Sequence, residues 1–478
     1  MHAVTASAVL ALSLAASLAA QAPTHLPAPP PPVAKEELQL RRAALAKAIA
    51  EAQPGKPAVV LVRGGGKQAD MGAFVQDQDF LYLSGIAEPG IALLLVVGAD
   101  GALVRDELLV PPFSRLSATW DGAFLAPGDA TAERTGFRTA GNVRSLATTL
   151  GEVLAADAKG QRPTLYTVTE PAARTGSTPG KAAEAAGNIT KDTLDGRPSR
   201  EDALIGVLQR QHEGLQVASV ERFLHAMRPK KSDTEIAILR ACSRIAAEGI
   251  AEAMKSCEPG HYEYQLAAVA RFVFTLRGAG PDAYAAIVGG GPNGCVLHYN
   301  TCQRQLQKDD LIVMDYAPTL HGYATDVTRT FPASGKFTPE QRKLVQDVYD
   351  IQQALIADVK PGAKLSLIGR KCAEMLRARG YRSDHGPCHH VGLAVHDPNP
   401  DVLEAGMLIT VEPGAYLRDQ GMGCRIEDTI LVTADGCEVL SKDVPSSPAA
   451  IEAMMALPGV LTMPVGLPTA PANGGSKH

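Results

Sequence analysis

The chain alternates between short continuous apolar runs and longer segments in which apolar residues recur every three or four positions. Lys35–Glu51 has helical periodicity, whereas residues 58–62 (AVVLV) and 92–97 (ALLLVV) are typical of buried strands. The intervening segment 76–90 is apolar at its centre and ends in Gly and Pro, which we interpret as a strand closed by a turn. This alternation predicts an N-terminal α/β domain over residues 35–195.

The second half of the chain repeats one order of elements. Residues 232–277 and 338–380 each have the periodicity of two successive helices. Each first helix begins with the spacing of a capping box, formed by Ser232 with Glu235 and by Thr338 with Gln341. A predicted β-hairpin follows each helix pair. The repetition indicates a duplicated domain over residues 232–446, with its site at the pseudo-two-fold axis.

The N terminus has the pattern of an export signal. Residues 3–20 are an apolar run of small residues and Leu, and we interpret residues 1–22 as a signal peptide. The absence of Lys and Arg before this run leaves a retained membrane anchor as the alternative. With the signal peptide removed, we expect a periplasmic or secreted protein with no stable membrane anchor. Three further segments are interpreted as a Pro-rich spacer (23–34), a linker (196–231) and a C-terminal tail (447–478).

Composition narrows the classes of partner. The 478 residues carry a formal net charge of −5, and the pI is near 6.2, which argues against nucleic acid or an anionic membrane surface as the main partner. All eight cysteines lie between Cys242 and Cys437, and no two have CxxC spacing. The sequence therefore predicts no particular disulfide pairing.

Carboxylates lie at the loop ends of both predicted hairpins. Asp315 ends the first strand of LIVMDYAPTLHGYATDVTRTF (311–331), and Asp326 precedes the second, so antiparallel pairing brings the two within about 5 Å. Glu412 and Glu427 hold equivalent places in the second hairpin. Between the hairpins, HGPCHHVGLAVHD contains four histidines: His385, His389, His390 and His396. Two carboxylate pairs and a His-rich loop are the components of a metal site.

Charge counting favours two metal ions. Four converging carboxylates without a metal would repel one another, and some would remain protonated. Two divalent cations balance four negative charges, and such a pair activates water and polarises the bond under attack. Carboxylate and imidazole ligands suit hard or borderline cations. The predicted chemistry is hydrolysis.

These stretches resemble the Xaa-Pro aminopeptidases (aminopeptidase P) and the related prolidases and methionine aminopeptidases. The matching motifs are HGPCHHVGLAVHD, TVEPG, RIEDT, TDVTRTFP and LHYN, and the resemblance covers about Arg41 to Met455. It implies an α/β (α+β) protein with an N-terminal α/β domain and a duplicated "pita-bread" catalytic domain of the creatinase/methionine aminopeptidase type.

The resemblance also implies roles for particular residues. The implied metal ligands are Asp315, Asp326, His389, Glu412 and Glu427, with Asp326 and Glu427 bridging two ions. Catalytic roles around the ions are implied for His298, His385, His396, Glu412 and Arg425. His390 matches a non-ligand position. Manganese is the expected metal, with cobalt or zinc as alternatives.

The implied activity is removal of the N-terminal residue from peptides with proline at the second position. A prolidase-like Xaa-Pro dipeptidase shares every ligand and is the first alternative, and a non-catalytic peptide-binding pseudo-peptidase is a remote one. Trp120 is the only tryptophan and lies in TWDG, which resembles a segment that reaches a neighbouring subunit's active site in this family. We therefore expect a homo-oligomer with Trp120 in the substrate pocket, the alternative being packing in the N-terminal domain.

Overall fold

The computed structural model describes residues 28–67, 73–122, 124–158, 160–171, 178–382 and 384–462. The predicted signal peptide, the first part of the Pro-rich spacer and the end of the predicted tail lie outside these ranges. Among the described residues, no helix is long and apolar enough to cross a membrane.

The N-terminal half is built on one six-stranded sheet. Its strands are β1 (Ala58–Arg63), β2 (Ala92–Val97), β3 (Leu103–Val110), β4 (Thr139–Asn142), β5 (Thr164–Thr167) and β6 (Val217–Ser219). The spatial order is β4-β3-β2-β1-β5-β6, with β2 antiparallel to both β1 and β3 and the remaining neighbouring pairs parallel. The helices of this half are α1 (Lys35–Ala52), α2 (Gln78–Ser84), α3 (Arg115–Asp121), α4 (Asp129–Thr135), α5 (Leu146–Val153), α6 (Pro179–Lys191), α7 (Arg200–Gln211) and α8 (Glu221–Met227).

Strand β1 is apolar over residues 58–62 because both of its faces are buried there. Val59 and Leu61 belong to a core that includes Leu150 of α5 and Leu208 of α7. The alternate residues of β1 belong to a second core, shared with α1 and with the C-terminal half, which contains the predicted catalytic domain and is termed the catalytic half. A strand covered on both sides reads as a continuous apolar run, which explains the sequence pattern.

Two predictions for this half are wrong. Segment 76–90, predicted as a strand, contains the helix α2, because Phe80 and Leu83 are spaced to bury one helical face and Gly85 ends the helix in the left-handed region at φ 66°. The predicted linker 196–231 is structured: it contributes α7, α8 and β6, and β6 extends the sheet beside β5. Its mixed polar composition reflects a location at the sheet edge.

The catalytic half contains two helix pairs and two sets of short strands. Its helices are α9 (Asp233–Lys255), α10 (Glu263–Leu276), α11 (Pro339–Ile356), α12 (Leu365–Ala378) and α13 (Pro448–Met455). Its strands are β7 (Ile287–Gly290), β8 (Leu311–Asp315), β9 (Thr319–Leu320), β10 (Tyr323–Ala324), β11 (Thr328–Pro332), β12 (Leu408–Val411), β13 (Gly414–Leu417), β14 (Met422–Arg425), β15 (Asp428–Val432) and β16 (Cys437–Val439). Both predicted capping boxes are present, at the starts of α9 and α11. Helix α13 lies within the segment predicted as a tail.

The two repeats contact each other at the ends of their central strands. Strand β8 pairs with β7 and β11, and β12 pairs with β15, all antiparallel. An isolated bridge then joins Thr328 to Glu427, whose backbone N–H donates to the Thr328 carbonyl at 3.0 Å. This bridge connects the two repeats at the level of the predicted metal ligands.

The N-terminal sheet is attached to the catalytic half by a shared apolar core and by buried ion pairs. Phe80 and Leu83 of α2 belong to the same core as Tyr323 and Leu393. Arg228 donates to Asp79 of the N-terminal half at 2.7 Å and also to Asp397, next to His396. The contact therefore reaches the wall of the predicted site.

We expect Asp106→Asn to destabilise the N-terminal half by about 3 kcal/mol, because it leaves a buried guanidinium without its counter-ion. Arg42 is fully buried and donates to Asp106 Oδ1 at 2.8 Å and Oδ2 at 3.1 Å. Thermal and urea unfolding measure the change. Glu51→Gln is the control, since its pair with Lys47 is exposed and should contribute almost nothing. Equal stability of the two variants would contradict this account.

Candidate metal centre

The strand register brings the four predicted carboxylates to one cavity. Asp315 is the last residue of β8 and lies opposite Thr328, the first residue of β11, which Asp326 precedes by two positions. Glu412 follows β12, and Glu427 precedes β15. Together with three histidines of the central loop, His298 and an arginine, these carboxylates line a cavity of about 470 Å³; the lining side chains are Asp315, Asp326, Glu412, Glu427, His298, His385, His389, His396 and Arg425.

The ligand atoms converge within a few ångströms. Asp326, His389 and Glu427 each offer one atom, and these atoms lie within 4.8 Å of one another. His389 Nε2 is 3.4 Å from Glu412 Oε1 and 3.6 Å from Asp326 Oδ2. Asp315 joins the cluster through Tyr284, whose hydroxyl lies 2.5 Å from an oxygen of Asp315 and 2.5 Å from an oxygen of Asp326. The structure thus brings all five residues together.

Burial of several carboxylates raises their pKa values. The pKa of Asp326 lies well above its ordinary value because of burial and the nearby Asp315 carboxylate. The pKa of Glu427 is also raised, by burial and by Asp326. Burial raises the pKa of Glu412 to about 8, although Arg425 acts in the opposite direction. Without cations, these groups therefore retain protons near neutral pH.

The cluster has the properties of a divalent cation site. Among the described residues, Glu427 Oε1 is buried without a hydrogen-bond partner, whereas its Oε2 accepts from Thr328 at 2.6 Å. His389 Nδ1 lies 3.1 Å from the His390 carbonyl, which places its proton on Nδ1 and leaves the Nε2 lone pair facing the carboxylates. Oxygen-rich ligands with one imidazole suit hard or borderline cations. The residues present therefore fit bound divalent metal ions.

Arg425 connects the cluster to two further side chains. Its Nη2 donates to Asp315 Oδ2 at 2.7 Å, and its Nη1 donates to the Tyr416 hydroxyl at 3.1 Å. That hydroxyl lies 2.9 Å from His385 Nε2, and His385 Nδ1 is 3.7 Å from Glu412 Oε2. Burial and Arg425 lower the pKa of His385 to about 4. This series of contacts holds the Asp315 carboxylate in place and puts the neutral His385 imidazole beside the Glu412 carboxylate.

The remaining histidines have distinct environments. The His396 ring stacks near that of His389, with centroids 4.2 Å apart, and burial followed by His389 lowers the pKa of His396 to about 3. His298 also lines the cavity, and its pKa is lowered, mainly by burial. His390 does not line the cavity: its Nε2 lies 3.1 Å from the Pro400 carbonyl, which fixes the loop.

Sequence reasoning missed two tyrosines of the site and predicted Trp120 in the substrate pocket. Tyr284 lies outside the matched motifs. Tyr416 could have been found from the pairing of β13 with β14. Gly414 lies opposite Arg425 in this pair, and Tyr416, two residues further along β13, is therefore a diagonal neighbour of Arg425. Trp120 on α3 is 79% exposed and does not line this cavity within one chain. Packing of Trp120 in the N-terminal domain is therefore wrong, and its role across a subunit interface stays a prediction.

A buried carboxylate–imidazole cluster within a duplicated α/β domain defines a metal-dependent hydrolase. Residues 237–434 match Metallopeptidase family M24, and residues 38–161 match the Aminopeptidase P, N-terminal domain. The chain is 30% identical over 416 residues to the Xaa-Pro aminopeptidase of Haemophilus influenzae, covering 80% of this chain and 88% of that protein. Its match to the Xaa-Pro aminopeptidase of Escherichia coli is 35% identical and covers 48% of this chain and 60% of that protein.

Solved structures agree with the sequence matches. The E. coli aminopeptidase P with the inhibitor Pro-Leu has a TM-score of 0.74 at 27% identity, covering 89% of this chain and 99% of that one. Proline aminopeptidase P II from Yersinia pestis has a TM-score of 0.71 at 30% identity, covering 89% and 100%. The chain belongs to the Xaa-Pro aminopeptidase (aminopeptidase P) family of M24 metallopeptidases. The predicted fold, with an N-terminal domain followed by a pita-bread catalytic domain, is confirmed.

We expect the metal-free protein to lose stability as pH rises from 6.5 to 8. The folded carboxyls hold protons that the unfolded chain releases above about pH 4.5, so the unfolded state binds fewer protons and unfolding becomes easier, by about 1.4 kcal/mol per pH unit for each carboxyl. Histidines with lowered pKa values destabilise the fold mainly below this range.

Scanning calorimetry in EDTA measures this slope. Added divalent metal should reverse it, because cations bind the ionised carboxylates and their affinity rises with pH. Glu412→Gln without metal should flatten the profile. A metal-free midpoint that rises over the same interval would contradict the assignment of protonated carboxyls.

Proposed function

We propose that this protein is an exported aminopeptidase with two divalent metal ions, which releases the N-terminal residue from peptides with proline at the second position. The observation that carries the proposal is the buried cluster of four carboxylates around His389, completed by Arg425 and lining an open cavity. Membership of the Xaa-Pro aminopeptidase family supports the substrate class. The apolar run at residues 3–20 supports export.

Five residues would hold the metal ions. They are Asp315, Asp326, His389, Glu412 and Glu427. Bound ions supply Lewis-acid polarisation and activation of water near neutral pH. Manganese is the first candidate, and cobalt and zinc are compatible with the same ligands.

The protein's own residues would position the substrate and move protons. Glu412 would accept a proton once bound cations keep its carboxylate ionised, because it lines the cavity next to His385 and His389. His298 and His396 remain neutral in the cavity, so each can present an N–H donor to the oxygen of the scissile carbonyl. Arg425 keeps Asp315 in place through a planar guanidinium contact at 2.7 Å.

Two other functions are alternatives for a protein with these five ligand residues. A prolidase-like dipeptidase would require the free carboxylate of an Xaa-Pro dipeptide, whereas an aminopeptidase would accept longer peptides. A non-catalytic pseudo-peptidase would be expected to lack part of the metal site. The convergence of all five ligand residues on one cavity favours an enzyme.

We expect the metal-loaded enzyme to cleave Xaa-Pro-Xaa-Xaa peptides and to leave matched Xaa-Ala peptides intact. Asp326→Asn should lower kcat/KM more than about a hundredfold and reduce the bound metal, because both ions lose a charged ligand. Peptide cleavage followed by mass spectrometry, together with metal analysis, measures both effects. Asp435→Asn, in an exposed turn, is the control. Cleavage of dipeptides alone would support the prolidase reading, and full activity of Asp326→Asn would contradict the metal site.

We further propose that the protein forms a homo-oligomer in which Trp120 contacts a neighbouring subunit's pocket. Leu116 and Trp120 are four residues apart on α3, so they share a face, and they are 70% and 79% exposed. An exposed aromatic and aliphatic pair is suited to an interface, where an indole would pack against a proline ring.

Trp120→Ala should then raise KM for proline peptides at least about threefold while the thermal midpoint and metal content change little. Leu194→Ala is the control, since Leu194 is 97% exposed on a separate segment. Steady-state kinetics and light scattering measure the outcome. A monomeric wild-type protein, or unchanged KM in Trp120→Ala, would reject the role across subunits.

A further inference from the structure

One loop of the catalytic half carries His298 into the metal cavity. The loop runs from Gly290 to Arg304 and contains a short 3-10 turn at Gly291–Cys295. Glu263, at the start of α10, lies against this loop and is fully buried. A buried carboxylate requires compensation, so its partners show which part of the structure depends on it.

The Glu263 carboxylate binds the loop at its beginning, its turn and its end. Oε1 accepts from the Gly290 backbone N–H at 2.8 Å and from Asn293 Nδ2 at 3.0 Å. Oε2 accepts from the Tyr299 hydroxyl at 2.9 Å and from the Arg304 backbone N–H at 2.8 Å. An ionised carboxylate has about four acceptor positions. All four are used on this one loop.

The backbone of the loop is closely packed. A Cβ on Gly289 would lie 2.7 Å from Asn293 backbone atoms, and a Cβ on Gly423 of β14 would lie 1.9 Å from the Gly294 carbonyl oxygen. Gly291 has φ +57°, in the left-handed region. The loop is therefore pressed against the strand that carries Arg425, and its shape depends on the hydrogen bonds that it makes.

The loop presents two groups to the metal centre. His298 lines the cavity directly. The carbonyl of Leu297 lies 3.5 Å from both Nη atoms of Arg425, which holds Asp315 at 2.7 Å. A shift of this loop would displace the imidazole, whereas Asp315 would keep its 2.7 Å contact with Arg425, to which the Leu297 carbonyl comes only within 3.5 Å.

We propose that Glu263 is a positioning residue: its carboxylate fixes the loop 290–304 and thereby sets the place of His298 in the cavity. Glu263 itself does not line the cavity. The effect on turnover rests on the proposed function, whereas the placement of His298 does not depend on it.

Glu263→Gln tests the proposal in the full-length, metal-loaded protein. The amide keeps the size of the side chain but replaces one acceptor oxygen by a donor, which then faces two of the loop's donors. We expect kcat for an Xaa-Pro peptide to fall between about tenfold and a hundredfold, the range for a misplaced catalytic group, with KM changed less than about twofold. Metal content should be unchanged.

A double variant that also lacks the His298 imidazole distinguishes a positioning role of Glu263 from a general structural role. Because Glu263 acts through His298, the double variant Glu263→Gln/His298→Ala should be no slower than His298→Ala alone. Glu221→Gln is the matched control: Glu221 is also buried and accepts from backbone N–H groups of Thr169 and Glu170, but in the N-terminal half. It should leave kcat unchanged.

A second measurement does not require turnover. In metal-free protein with ¹⁵N-labelled histidine, the His298 signals, assigned by their loss in His298→Ala, should shift in Glu263→Gln and remain in place in Glu221→Gln. Tyr299→Phe removes one donor while keeping the carboxylate, so it should produce a smaller shift, and it serves if Glu263→Gln fails to fold.

The outcomes are distinguishable. Unmoved His298 signals in both loop variants, or losses of kcat that multiply in the double variant, would overturn the positioning role. If the His298 signals move but the wild-type enzyme cleaves no Xaa-Pro peptide, the proposed function fails and the positioning of His298 by Glu263 stands.

Discussion

The architecture depends on the electrostatic cost of holding four carboxylates together in a buried space. Asp326 and Glu427 are almost completely buried. Burial raises the pKa of each carboxyl, and a neighbouring carboxylate raises it further, Asp315 for Asp326 and Asp326 for Glu427. Such groups bind either protons or cations. The cation-bound state is the functional one, so the fold must keep the carboxylates converged against their mutual repulsion.

Buried arginines next to the carboxylates hold the strand ends that carry them. Arg329 on β11 donates to the Glu427 carbonyl at 2.6 Å and to the Asp428 carboxylate at 2.6 Å, which fixes the start of β15 from behind. Arg425 binds Asp315 from the cavity side. Because each guanidinium is rigid and has several donors, it holds strand ends in one geometry. The N-terminal half extends the same principle through Arg228, which pairs with Asp79 and Asp397.

Much of the fold and site could be predicted because the signals were local. The capping boxes of α9 and α11, the apolar runs of β1 and β2, and the carboxylates at hairpin ends all follow from short-range spacing. The helix α2 was misread because FLYL has strand composition, and only the core contacts of Phe80 and Leu83 favour a helix. Tyr284 and Glu263 could not be found, since their roles arise from contacts with residues 27 to 42 positions away.

Anomalous X-ray diffraction from crystals grown with manganese tests the central claim most directly. We predict two peaks at the manganese edge about 3.5–4 Å apart, both contacting Asp326 and Glu427, with His389 bound to one ion. Absence of any peak at the carboxylate cluster, or a single ion that touches neither Asp326 nor Glu427, would contradict the account.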